Sequence, residues 1–155
     1  MKTRRFFNQP GEYQVKLQYR KEGETKDFVG VVRAETKGEY NIKILVEHLV
    51  RGTKGRVVVR AVASGGARVE LSGMIKISQE AQNTESFLEL RALILDEESR
   101  ASVDPKLEIM ANEVKAGHAA SVGQMDENQV QYLQSRGITD AQARRLIIEG
   151  FLQGE

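Results

Sequence analysis

Few side chains in this sequence can do metal or acid–base chemistry, because it holds two histidines and no cysteine. The first is His118, in the strand-like stretch from Val114 to Gly123, which hands a lone imidazole to a Gly- and Ala-lined turn. A neutral imidazole binds a metal ion such as iron, or relays a proton near pH 7. The plainer reading is a histidine that hydrogen-bonds its own turn. One histidine offers one ligand, so a complete site at His118 needs donors from another chain. Glu108 is the nearest acidic candidate. It alternates with Leu107 and Ile109, so it faces away from them, either to help hold iron or, as most strand carboxylates do, to face water. Glu113 carries the same two readings. The second histidine, His48, follows an apolar run and precedes Leu49-Val50. It reads as a satisfied edge or core residue, with no third ligand candidate near it in sequence.

Other chemistries lack their residues. Without cysteine there are no disulfides, thiolate nucleophiles or Cys-ligated zinc, and this chain alone supplies no thiolates for an ordinary iron–sulfur cluster. No Walker A sequence occurs, and Ser64-Gly65-Gly66 is a turn rather than a phosphate cradle. A hydrolytic metal site from His48, His118 and carboxylates finds no supporting ligand spacing. With 23 basic against 22 acidic residues the net charge is +1. The short basic groups, Arg4-Arg5, Lys54 to Arg56 and Arg144-Arg145, are offset by interleaved acids, which argues against nucleic acid as a partner. No apolar run is long enough to cross a membrane, and the N-terminus lacks an apolar signal core. A cytoplasmic, non-enzymatic protein is the expectation.

The elements that must position His118 are β-strands. From Glu12 to about Glu113 the signal is β: Tyr13, Val15, Leu17 and Tyr19 alternate with polar residues, Ile42, Ile44 and Val46 alternate again, and Val57, Val59 and Ala61 follow. Val69 and Leu71, then Met74, Ile75 and Ile77, read as two short strands hinged at Gly73. Leu88 to Ile94 and Leu107 to Ala111 continue the series, punctuated by glycines and charged turns. A chain of 155 residues with 40% hydrophobic content can bury a core of its own. Short strands without helical periods between them leave a sandwich, a barrel or a β-solenoid open.

After Gly123 the period changes. Asp126 with Gln129 and Thr139 with Gln142 resemble capping boxes, and Gly137 sits where a helix would end. Two helices are expected, roughly Glu127–Arg136 and Asp140–Leu152. Ala143, Leu146, Ile147, Gly150 and Phe151 make one stripe of the second, and Arg145 with Glu149 an i, i+4 pair. A hairpin this short must pack on the β body or on a partner. Tyr132, Arg136, Leu146, Ile147 and Phe151 have the make-up of an interface hot spot, aromatic and aliphatic with an Arg rim. The same stripe could instead be core, and a hairpin has two faces.

The order of these pieces resembles a known family. Gly73-Met74-Ile75-Lys76-Ile77, Ala81-Gln82-Asn83-Thr84, Leu93-Ile94-Leu95 and Pro105-Lys106-Leu107-Glu108-Ile109 are followed by Val114, His118, Val122, Gly123, Asp126 and Gln129. Tyr132 to Ile138 (Y-L-Q-S-R-G-I) and Gly150-Phe151 complete it. From His48 to Phe151 this is similar to the C-terminal part of the SufB/SufD scaffold proteins of iron–sulfur cluster assembly, closer to SufD. The resemblance implies a mainly β fold: a right-handed parallel β-helix over residues 1–123 with an α-helical docking hairpin over 124–155. It implies a SufC-type ATPase on the terminal helices and a SufB-type subunit, or a second copy, on the β body. It places His118 at the junction of the two scaffold chains, as a ligand for iron or for a cluster shared with the partner, with no cofactor held by this chain alone. Family members are usually far longer, so the N-terminal helical region and much of the β-helix are without counterpart here. One end of the solenoid is then expected to be open unless Phe6, Phe7 and a hairpin at Tyr13 cap it. Where SufD-like sequences often carry Cys two positions before the histidine, this one has Ala116, and Ala119 replaces the glycine that follows it. That departure favours the other reading, a self-associating β-solenoid adaptor that lacks any cluster or iron role.

Overall fold

A computed structural model describes residues 1–154. Glu155, the last residue of the expected helical segment, lies outside them. The described residues form β1 (Lys2–Phe7), β2 (Gly11–Tyr19), β3 (Thr25–Ala34), β4 (Gly38–His48), β5 (Lys54–Ala63), β6 (Ala67–Ile77), β7 (Thr84–Ile94), β8 (Arg100–Ile109), β9 (Val114–Gln124), α1 (Glu127–Ser135) and α2 (Asp140–Gln153). Odd strands build one sheet in the order β1-β3-β5-β7-β9 and even strands the other, β2-β4-β6-β8. Every pairing is parallel. Thr25 lies beside Lys54, Lys54 beside Glu85 and Thr84 beside Val114, so equivalent positions recur after 29, 31 and 30 residues. The chain is a parallel β-helix of about four turns with two C-terminal helices. Consecutive strands change sheets rather than forming hairpins, so β1 and β2 are not the hairpin expected around Tyr13.

Alternation along each strand supplies the inner face of both sheets. Ile42, Ile44 and Val46 of β4 lie beside Leu71, Gly73 and Ile75 of β6, and all line one core. Gly73 lies inside β6, which is one continuous strand rather than two hinged there. A Cβ at Gly73 would stand 2.7 Å from Leu88 Cδ2, so glycine makes room for a leucine of the facing sheet. The turns stack as the strands do. Gly52 N–H donates to Gln82 C=O at 2.9 Å and Asn83 N–H to Glu113 C=O at 2.6 Å, which makes Glu113 an exposed corner residue.

The first rung closes its own end. Phe7 is buried and meets Tyr13 edge-on at 5.1 Å. The Arg5 guanidinium lies 4.8 Å from the Phe7 ring centre and 5.9 Å from that of Tyr13. Phe6 points to the outer side and takes no part, being 57% exposed.

His48 is built into the core. It is fully buried and stacks on Tyr19 with ring centres 4.1 Å apart. Its Nδ1 is 2.7 Å from Thr53 Oγ1 and its Nε2 is 2.9 Å from Ser86 Oγ, so both ring nitrogens are satisfied by neutral hydroxyls. Tyr19 in turn donates to Lys26 C=O at 2.8 Å, over Gly55, where a Cβ would collide with its hydroxyl. Burial lowers the His48 pKa from 6.5 to about 4. The unfolded chain therefore takes up this proton first as pH falls, so native stability is full above pH 6.5 and drains away towards pH 4. Urea unfolding is expected to lose up to about 3 kcal/mol through this group over that window. His48→Gln should flatten that part of the pH profile, and an unchanged profile would contradict the assignment.

Candidate functional site

The last rung is where inward residues meet no further rung. On β8, Leu107 and Ile109 lie beside Ile75 and Ile77 of β6. The inner pair are each 1% exposed, whereas Leu107 and Ile109 are 37% and 39% exposed. On β9, Val122 lies beside Ala92, and their exposures are 42% and 2%. His118 lies beside the fully buried Leu88, in the same inward row as Ala116, Ala120 and Val122. It is therefore a mid-strand residue, not one at a turn, and it is exposed because nothing covers the interior above it. The result is an apolar end face with one imidazole among small side chains.

Glu108 is not brought to this face. It lies on the outer side of β8, where its carboxylate is 3.8 Å from Lys76 Nζ. Among the described residues no three His, Asp or Glu side chains cluster as a metal site.

The helical hairpin sits on the outer face of the odd-strand sheet. α1 opens on Asp126, whose carboxylate accepts from Asn128 N–H, and Gln129 adds no reciprocal side-chain bond. α2 opens on a complete capping box of Thr139 and Gln142. Between them Gly137 has φ +95, a left-handed geometry suited to glycine. Arg144 ties the helices together, pairing with both Glu127 oxygens at 2.9 and 2.7 Å and with Asp140 at 3.0 Å.

The sheet-facing side of α2 is rotated from the stripe its spacing suggests. Leu152 is buried with Val31 and Val62, and Ile148 and Phe151 pack around them together with Val29 and Leu93. Glu149 is engaged by Arg33 of β3 at 2.5 Å, not by Arg145. Arg60 of β5 donates to the Phe151 carbonyl at 2.8 Å, satisfying an acceptor that the helix end leaves free. Behind it Glu89, nearly buried, pairs with Arg60 and Arg91. Of the expected interface residues, Phe151 thus packs on the sheet and Ile147 is half-buried. Leu146 and Tyr132 are exposed at 57% and 58%, with Arg136 bonded to the Tyr132 hydroxyl at 3.1 Å.

These elements define a β-solenoid scaffold with one uncovered end and a two-faced hairpin on its flank. Residues 12–151 match the model of the SUF system FeS cluster assembly SufBD core domain. The chain is 38% identical over 130 residues to the iron–sulfur cluster assembly protein SufD of Bacillus subtilis, covering 84% of this chain and 29% of that protein. It is 34% identical over 137 residues to a SufBD family protein of Mycobacterium tuberculosis, covering 83% of this chain and 34% of that one. A longer SufBD family protein of Mycobacterium bovis is 34% identical over 106 residues, 12% of its length. The chain belongs to the SufB/SufD family of iron–sulfur cluster assembly proteins, and spans about a third or less of the length of these relatives.

The two faces of the hairpin can be told apart by stability. Leu152→Ala is expected to cost about 2–4 kcal/mol in urea unfolding, and Leu146→Ala less than about 0.5 kcal/mol. Equal losses would mean that the hairpin docks by a different face.

Proposed function

We propose that this chain is a non-enzymatic scaffold subunit of an iron–sulfur cluster assembly complex. Its uncovered last rung pairs with a SufB/SufD-type chain or with a second copy of itself. The free side of the hairpin, Tyr132 and Arg136 of the α1 end with Leu146 and Ile147 of α2, docks a SufC-type ATPase. The observation that carries the pairing is the run of inward residues left exposed on β8 and β9, next to near-zero exposure one rung below. Such a face gains burial when a second apolar surface covers it. His118 then lies in the seam and offers a neutral nitrogen to iron, which is cargo here, while sulfur and the remaining ligands come from the partner. ATP-driven movement of the docked ATPase would shift the two scaffold chains and open that seam.

Ala116 favours a second reading. It is in the same inward row as His118, two positions away, and provides no thiol. A chain that pairs and docks but holds no iron, a self-associating adaptor, is consistent with that row.

Co-expression with SufB-type and SufC-type partners separates these. Ile109→Arg is expected to abolish co-elution with the scaffold partner and leave the chain folded. Tyr132→Ala with Leu146→Ala should weaken capture of the ATPase alone. His118→Ala should leave both complexes intact and lower the visible absorption of an anaerobically reconstituted pair by half or more. Unchanged absorption would establish the adaptor. Undisturbed pairing of the Ile109→Arg chain would overturn the proposal.

A further inference from the structure

A second concave feature lies on the flank, where the end of α2 crosses the odd-strand sheet. It is a cavity of about 250 Å³. Val58 and Leu152 are among its apolar lining residues, and three arginines line it, Arg4, Arg56 and Arg60. Asp27 is the one carboxylate among its described lining residues. Lys2 also lines it and is already engaged, so the balance is set by the arginines. Arg4 rests on the Phe6 ring at 5.4 Å and Arg56 on the Phe87 ring at 5.9 Å. Neither forms an ion pair with a carboxylate among the described residues. Arg60 is spoken for at its two terminal nitrogens, by the Phe151 carbonyl and Glu89, but its buried Nε–H has no acceptor.

This convergence is not a by-product of a basic chain, because the net charge is only +1. Like charges gathered in one concavity repel, and a buried donor without an acceptor costs free energy until something accepts from it. Guanidinium forks match the paired oxygens of carboxylate and phosphate. We infer that this cavity binds a compact oxyanion, a carboxylate or phosphate compound, through Arg4 and Arg56. The site is separate from the open last rung and from the free side of the hairpin. It abuts the C-terminal turn of α2, so an occupied cavity would also brace the hairpin on the sheet.

Calorimetric titration of the purified full chain with pyrophosphate and with citrate tests this and needs no partner protein. Saturable 1:1 binding of at least one is expected, weakened tenfold or more by Arg4→Gln with Arg56→Gln, and unchanged by Arg145→Gln on the exposed side of α2. The tighter of the two anions assigns phosphate or carboxylate as the preferred chemistry. Circular dichroism checks that the double variant is folded. No binding of either anion at millimolar concentration would overturn the inference. So would equal binding by the folded double variant, or loss of the same size in Arg145→Gln, which marks general attraction to surface charge.

Discussion

A solenoid holds itself together by covering each rung with the next. In this chain most inward side chains below the last rung are buried by counterparts about thirty residues on, and backbone hydrogen bonds repeat the arrangement through strands and turns alike. The same rule leaves the two ends exposed. At the first rung the solution is local: Phe7 and Tyr13 pack edge to face, and the Arg5 guanidinium lies across both. At the last rung there is no such device. Leu107, Ile109 and Val122 keep their inward orientation and lose their cover. His118 shares that fate, and its exposure follows from rung position rather than from any loop that presents it.

The helical hairpin answers a different requirement. Its two short helices are fastened to the sheet by one apolar contact around Leu152 and by charged pins, Arg33 to Glu149 and Arg60 to the Phe151 carbonyl. The Arg60–Glu89 pair beneath is largely buried, at 12% and 5% side-chain exposure. Removal of Glu89 would leave the Arg60 charge under the helix end without a carboxylate, whereas Glu89 keeps Arg91 if Arg60 is removed. Anchored on one side, the hairpin leaves Tyr132 and Leu146 facing outward on the other. The open rung and this outward face lie on different surfaces, so the two proposed contacts do not compete.

Much of this was legible in the residues. Alternation marks β2 strictly and β4 and β5 more loosely, and the caps at Asp126 and Thr139 with Gly137 between them place both helices. The coil period was not legible, because solenoid rungs repeat in burial and not in residue identity. The resemblance to the SufB/SufD family, rather than periodicity, selected the β-helix. β1 carries no alternating apolar signal, because Lys2, Arg4 and Arg5 put charge on both of its faces, and its pairing depends on β3. Gly73 looked like a hinge, since sequence cannot show that a leucine from the other sheet needs its missing Cβ. The sheet side of α2 is rotated about one position from its apolar stripe, and Arg33, which holds Glu149 on that side, lies 116 residues away in sequence. His48 was legible only as a residue that is satisfied somehow. Its partners Thr53 and Ser86 come from other rungs and are ordinary in sequence.

In the proposed function the terminal rung is a surface completed by another chain. Hydrogen exchange on the β9 amides measures this directly, in dilute isolated chain and again with a SufB-type partner added. The amides of Val114–Gln124 that point away from β7 are expected to exchange fast in the isolated chain and to gain strong protection in the mixture, while β5 is slow in both. Slow exchange of these outward amides at dilution, or no gain in their protection with the partner, would overturn it.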